Sequence, residues 1–127
     1  MPTIHASAQK GGVLLLTFKG KLNDESDTEL FVRDVEVVGR SIQSFHKSQG
    51  RPIKILIDIS SVEGGPDTRA LESLVGMARQ DKDLVEKAAV FGGTPQVQTL
   101  GQTVAYLAGR SNMNFFSTKE QALEWLG

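Results

Sequence analysis

The chain has 127 residues, is 39% hydrophobic and 23% charged, and carries a net charge of -1 with no cysteine. That length suits one domain with one core, and the balanced charge gives no bulk attraction to nucleic-acid phosphates or anionic lipid. The lack of Cys excludes disulfides, thiolate catalysis and Cys-based metal sites, and leaves His5 and His46 as the imidazoles.

In chain order, short β-branched runs alternate with longer segments of helical period. A first strand is expected over about Thr3 to Ala8, turning through "QKGG" into an antiparallel "VLLLTFKG". From about Asp27 to Lys47 the residues Phe31, Val35, Val38, Ile42 and Phe45 recur at spacings of three and four, the stripe of an amphipathic helix. "IKILIDI" follows, with Ile53, Ile55, Ile57 and Ile59 on one face, and then a helix carrying Leu71, Leu74, Val75 and Ala78. "KAAVFGG" precedes a helix with Val97, Leu100, Val104 and Leu107, and "NFF" precedes a terminal "TKEQALEWL", in which Trp125 reads as a docking residue. Ser26 with Glu29 and Ser117 with Glu120 have capping-box spacing, and Thr94-Pro95 reads as a cap followed by proline at the first helical position.

Strands joined by helical crossovers imply an α/β fold, a mostly parallel sheet of four to five strands with an antiparallel first strand and helices mainly on one face. Residues 1–127 read as a single domain. The opposite face would carry Lys54, Leu56 and Asp58 with Val13, Leu15 and Thr17, a mixed surface needing a cover or a homodimer partner, with Thr3 to Ala8 the candidate covering segment. The longest apolar stretch, "VLLL", is far too short to span a bilayer, and "MPTIHASAQKGG" lacks the pattern of a secretory leader, so a cytoplasmic protein is expected.

Two glycine-bearing strand exits, "SVEGGPDT" and "FGGTPQ", should share one rim, because parallel strands deliver their helices at the same end of a sheet. Helix starts with free N–H groups favour anions, yet glycines also serve any tight turn, and neither stretch is a P-loop or a dinucleotide fingerprint. The rim of residues 60–68 and 92–96 gathers Asp58, Ser60, Ser61, Gly64, Gly65, Asp67, Thr68, Arg69, Gly92, Gly93 and Thr94 as candidates for partner or ligand contact. Asp58, Glu63 and Asp67 suggest a carboxylate cluster for magnesium or for acid–base work, but a catalytic pair needs environments that separate the two acidities, and the dipole of a helix start already accounts for Asp67. No nucleophile has a visible base near His5 or His46; catalytic residues, a metal and a cofactor are not expected. The acidic residues among the basic ones in the 27–47 helix, and its core-width stripe, favour packing on the sheet over membrane binding.

These residues resemble the STAS domains, which include bacterial anti-sigma-factor antagonists. "IKILIDISSV" is similar to the family's central strand with its Asp-x-Ser ending, and the stretch from "KAAVFGG" to "ALEWL" is similar to its last two strand–helix units and looks closest to a little-characterised bacterial STAS-like branch that has been compared with CRAL-TRIO lipid carriers. The resemblance implies a β–α superhelix and a non-enzymatic regulatory module that binds a protein partner at the rim. The alternative is a carrier or sensor of a small anionic or lipid-like molecule. It also implies a phosphoacceptor at the start of the helix after the central strand, for which Thr68 is the candidate; here "EGGPDTRAL" has Arg69 where the family has a second Ser, and lacks the following Gly.

Overall fold

The computed structural model describes residues 3–21, 25–63 and 68–127, the side chains of residues 25–27 excepted. Five strands form one sheet in sequence order, β1 (Thr3–Gln9), β2 (Val13–Lys21), β3 (Ile53–Glu63), β4 (Val85–Phe91) and β5 (Met113–Phe116). β1 is antiparallel to β2 and the other neighbours are parallel. The helices are α1 (Glu25–Gln49), α2 (Thr68–Asp81), α3 (Pro95–Leu107) and α4 (Lys119–Leu126), with a 3-10 turn over Lys82–Leu84 between α2 and β4. None of the described helices is long and apolar enough to cross a membrane.

The main core lies between the sheet and the first three helices. Phe31, Val35, Val38 and Ile42 of α1 are buried on Leu14, Leu16, Ile53 and Ile55, with Phe45 packed at the edge, so the predicted stripe is the buried one. On β3 the alternation changes phase after Asp58, because Thr17 pairs with Asp58 while Lys19 pairs with Ser61, which leaves β3 one extra residue. That irregularity carries the strand on to Glu63 and turns Val62, rather than Ser61, towards the core.

A second, smaller core occupies the opposite face. Ala122 and Leu126 of α4 cover Leu56, Ala89 and Phe91, with Val13, Leu15, Phe116 and Trp125 packed around them. Leu56 is 2% exposed. The expectation of an open, partner-seeking strip is therefore corrected: α4 is the cover, and β1 lies in the plane of the sheet as its edge. The run Ala88–Phe91 is buried throughout, as a strand covered on both faces must be, which is the signal for α4's position. Trp125 docks as expected, its ring 5.8 Å from that of Phe116 and 5.1 Å from Lys87 Nζ, which also donates to the Trp125 carbonyl at 3.1 Å.

Two terminal signals shift, while Ser26 of the Ser26–Glu29 capping pair lies outside the described side chains. The capping box of α4 is Thr118 with Gln121, one residue beyond the Ser117–Glu120 pair: Gln121 N donates to Thr118 Oγ1, and Gln121 Oε1 accepts from Thr118 N. Leu107 is half exposed, because the buried face of α3 passes through Ala105 and Ala108 as it leaves the sheet.

Candidate functional site

The rim stands at the carboxyl ends of β3 and β4, which are adjacent and parallel, so both predicted exits leave the sheet at the same end. The β4 exit is pressed against β3. A Cβ on Gly92 would lie 2.8 Å from Ser60 Cβ, and one on Gly93 would lie 3.2 Å from Ile59 O. Both glycines have positive φ, 83° and 78°, so they combine a left-handed turn with a close backbone approach. Asp58 Oδ1 accepts from Ser60 N at 2.9 Å and from Ser60 Oγ, which fixes the Asp-x-Ser segment beside that contact.

The α3 start is built as predicted. Thr94 is the N-cap, its hydroxyl oxygen accepting from Val97 N at 3.2 Å, and Pro95 opens the helix. Sequence reasoning missed Gln98, whose Nε2 donates to the carbonyls of Gly92 at 3.0 Å and Phe116 at 2.8 Å and so joins the β4 and β5 exits. Gly92 N also donates to Phe116 O at 3.3 Å. The idea of two glycine turns with N–H groups free for an anion is thus corrected at Gly92, whose amide faces a neighbouring strand.

The structure brings Asp58, Ser60, Gly92, Gly93 and Thr94 together, with Ser61 exposed opposite Lys19 on β2. Thr68 opens α2 and is exposed, as is Arg69. Arg69 Nη1 lies 3.5 Å from Glu29 Oε1 on α1, and both side chains are more than 60% exposed. Gly64, Gly65, Pro66 and Asp67 lie outside the described residues. Among the described residues no group of three or more His, Asp or Glu side chains is gathered as a metal site would need.

A different feature lies beneath α2 and α3. A cavity of about 120 Å³ opens between these helices and the sheet, walled by Leu74 and Met77, Leu100 and Val104, and Met113 and Phe115 among others, and every lining residue is apolar. Gly101 lets Phe115 reach this wall, since a Cβ there would lie 2.7 Å from the ring. The helical spacings of Leu74, Leu100 and Val104 were legible in the sequence; that they line a void and do not close on one another was not.

The family model described as SpoIIAA-like matches residues 13–127. The chain belongs to the SpoIIAA-like family, of the STAS type. Among solved structures it is similar to an uncharacterised protein of the DUF3478 family with a SpoIIAA-like fold from Shewanella loihica PV-4, at 20% identity over 100% of this chain and 96% of that one, with a TM-score of 0.68. It is similar also to an anti-sigma factor antagonist from Mycobacterium paratuberculosis, at 16% identity over 99% and 94% of the two chains, with a TM-score of 0.63. SpoIIAA in its unphosphorylated form matches at 15% identity over 97% and 96%, with a TM-score of 0.57. These likenesses show the fold. No curated protein matches the chain.

Proposed function

We propose that this SpoIIAA-like chain is a non-enzymatic regulatory module of the cytoplasm that binds a protein partner at the rim of residues 60–68 and 92–96. The observation that carries the reading is the joined exit of β3 and β4, where Ser60, Ser61, Gly93 and Thr94 present exposed small polar groups on a backbone held in place by the Gly92–Ser60 contact. A preorganised surface of this kind binds at a lower ordering cost than a mobile loop. Two of the similar structures are of an anti-sigma factor antagonist and of SpoIIAA, which supports a regulatory contact over chemistry. The test is affinity purification from the native cytosol, with Ser61→Arg and Thr94→Arg beside the unaltered protein. Loss of the same co-purifying protein from both variants supports the rim; retention by both removes it.

The apolar cavity favours a second reading, a carrier or sensor of a small molecule. Its wall offers no hydrogen-bonding or charged side chain, so the enclosed part of such a ligand is neutral and apolar, and an anionic group would have to remain at the mouth. Titration with a neutral hydrophobic fluorophore tests it, absence of saturable binding counting against a carrier.

A further inference from the structure

At the end of the sheet opposite the rim, α2 closes on a group the rim does not use. Asp81, the last residue of α2, is 1% exposed, and neither carboxylate oxygen has a hydrogen-bond partner among the described residues. Beside it is Arg110, between α3 and β5. Its Nε donates to Asn112 Oδ1 at 2.8 Å and its Nη1 to Ala78 O, in the last turn of α2, at 3.1 Å, while Nη2 is buried without a partner among the described residues. Asn112 Nδ2 in turn donates to Val85 O at 2.7 Å. The end of α2, the α3–β5 connection and the start of β4 are therefore tied through Arg110 and Asn112, with an unpartnered carboxyl group in their midst.

A carboxylate in that place is opposed twice, by its burial and by the negative end of the α2 dipole. Burial raises its pKa from 3.8 to about 6, with the Arg110 charge acting the other way. The same burial lowers the Arg110 pKa, with Asp81 opposing. At the same end of the surrounding elements stand Arg79 on α2, which donates to Leu107 O, Lys82 and Asp83 on the 3-10 turn, Glu86 and Lys87 on β4, and His46 and Lys47 in the last turn of α1. Among the described residues, the Arg110 charge is the one that bears on Asp81.

We propose that the buried Asp81–Arg110 pair is a pH-responsive clasp: proton binding at Asp81 tightens the end of α2 against β4 and the α3–β5 connection, and loss of that proton loosens it. The sign follows from linkage. A carboxyl group that binds its proton more tightly folded than unfolded contributes stability that is fully present at low pH and is lost as the pH rises through about 6. Because Leu74, Met77 and Ala78 of α2 line the apolar cavity, loosening this helix also loosens the cavity wall; a consequence for ligand entry rests on the carrier reading, and the clasp itself does not.

The test is amide hydrogen exchange of residues 74–81, corrected for intrinsic exchange, at about pH 5 and about pH 7.5, in the native protein and in Asp81→Asn. Protection of α2 is expected to fall roughly tenfold at the higher pH in the native protein and to change little in the variant. Equal protection at both pH values, or greater protection at the higher one, overturns the clasp. Should Asp81→Asn fail to fold, an NMR titration of the Asp81 carboxyl carbon in the native protein decides, a midpoint near 6 supporting the proposal and one at or below 3.8 overturning it. Neither measurement uses a ligand, so failure of the carrier reading leaves its outcome unaffected.

Discussion

Gly92 packs directly on Ser60: a methyl group in place of its hydrogen would sit 2.8 Å from Ser60 Cβ, at a residue whose φ is already 83°. Two effects therefore oppose Gly92→Ala, the left-handed backbone and the steric overlap with β3. The first costs about 1–2 kcal/mol, and forcing the strands apart adds about 1–3 kcal/mol. Gly109 supplies the control, because its φ is 69° but none of the described residues lies within 4 Å of the added methyl. In urea denaturation Gly92→Ala is expected to be clearly more destabilising than Gly109→Ala. Adding Ser60→Gly to Gly92→Ala should recover only part of the steric loss, since Ser60 Cα and N still lie 3.0 and 3.1 Å from the added methyl, a coupling readable from a double-mutant cycle.

Thr94 and Gln98 secure the same exit by hydrogen bonds of different kinds. Removing the cap hydroxyl with Thr94→Ala is expected to cost about 1 kcal/mol, since the Val97 amide can turn to water at an exposed helix start. Gln98→Leu leaves the partly buried carbonyls of Gly92 and Phe116 without their shared donor, for which about 1–3 kcal/mol is expected. Thermal and urea denaturation of the two variants measure both effects. An equal or smaller loss for Gln98→Leu would mean that solvent reaches the β4–β5 exits.

What the sequence made legible was what repeats. The stripe on α1, the four Ile of β3 and the Thr94-Pro95 start are periodic or local signals, and each stands where it was expected. What stayed hidden depends on contacts between distant segments. Leu56 looked exposed because its covering residues, Ala122 and Leu126, come from the last helix, and nothing local to "IKILIDI" shows which face that helix takes. Gln98 and Asp81 carry no local signal, because the Phe116 carbonyl and the Arg110 charge that bear on them come from distant segments. The displaced cap of α4 has another cause, since the neighbouring hydroxyls of Ser117 and Thr118 compete for one position.

Thr68 remains the proposed phosphoacceptor, and its position makes a definite prediction. It is the first residue of α2 and exposed, so an added negative charge meets the positive end of the helix dipole. Thr68→Glu is expected to stabilise the fold by about 0.5 kcal/mol and to change partner affinity, whereas Thr68→Ala leaves affinity unaltered. Arg69 adds little in the unmodified protein, because its pair with Glu29 is solvent-exposed and of a kind worth about 0–1 kcal/mol. Phosphoproteomics of the native protein, with affinities of both variants for the purified partner, checks the switch. An unmodified Thr68 in every growth condition, together with equal binding by the two variants, would reduce it to a contact residue.

The cavity beneath α2 and α3 can be altered in both directions, which separates a binding site from a fault in packing. Its volume of about 120 Å³ is large for an interior that normally holds few voids bigger than a water molecule, and its apolar wall keeps water from filling it favourably. Val104→Leu adds one methylene to the wall and is expected to stabilise the protein by about 0.8 kcal/mol if the side chain enters the void. Met77→Ala enlarges the same space and should cost about 2–5 kcal/mol. If the cavity holds a ligand, affinity for a neutral hydrophobic fluorophore should fall in Val104→Leu despite its higher stability, because the added group competes for the ligand's volume. A void that merely reflects loose packing predicts the same stability changes with no saturable fluorescence in any of the three proteins. Saturable binding by the native chain, lost on filling, is the result that would assign the cavity to a carried molecule.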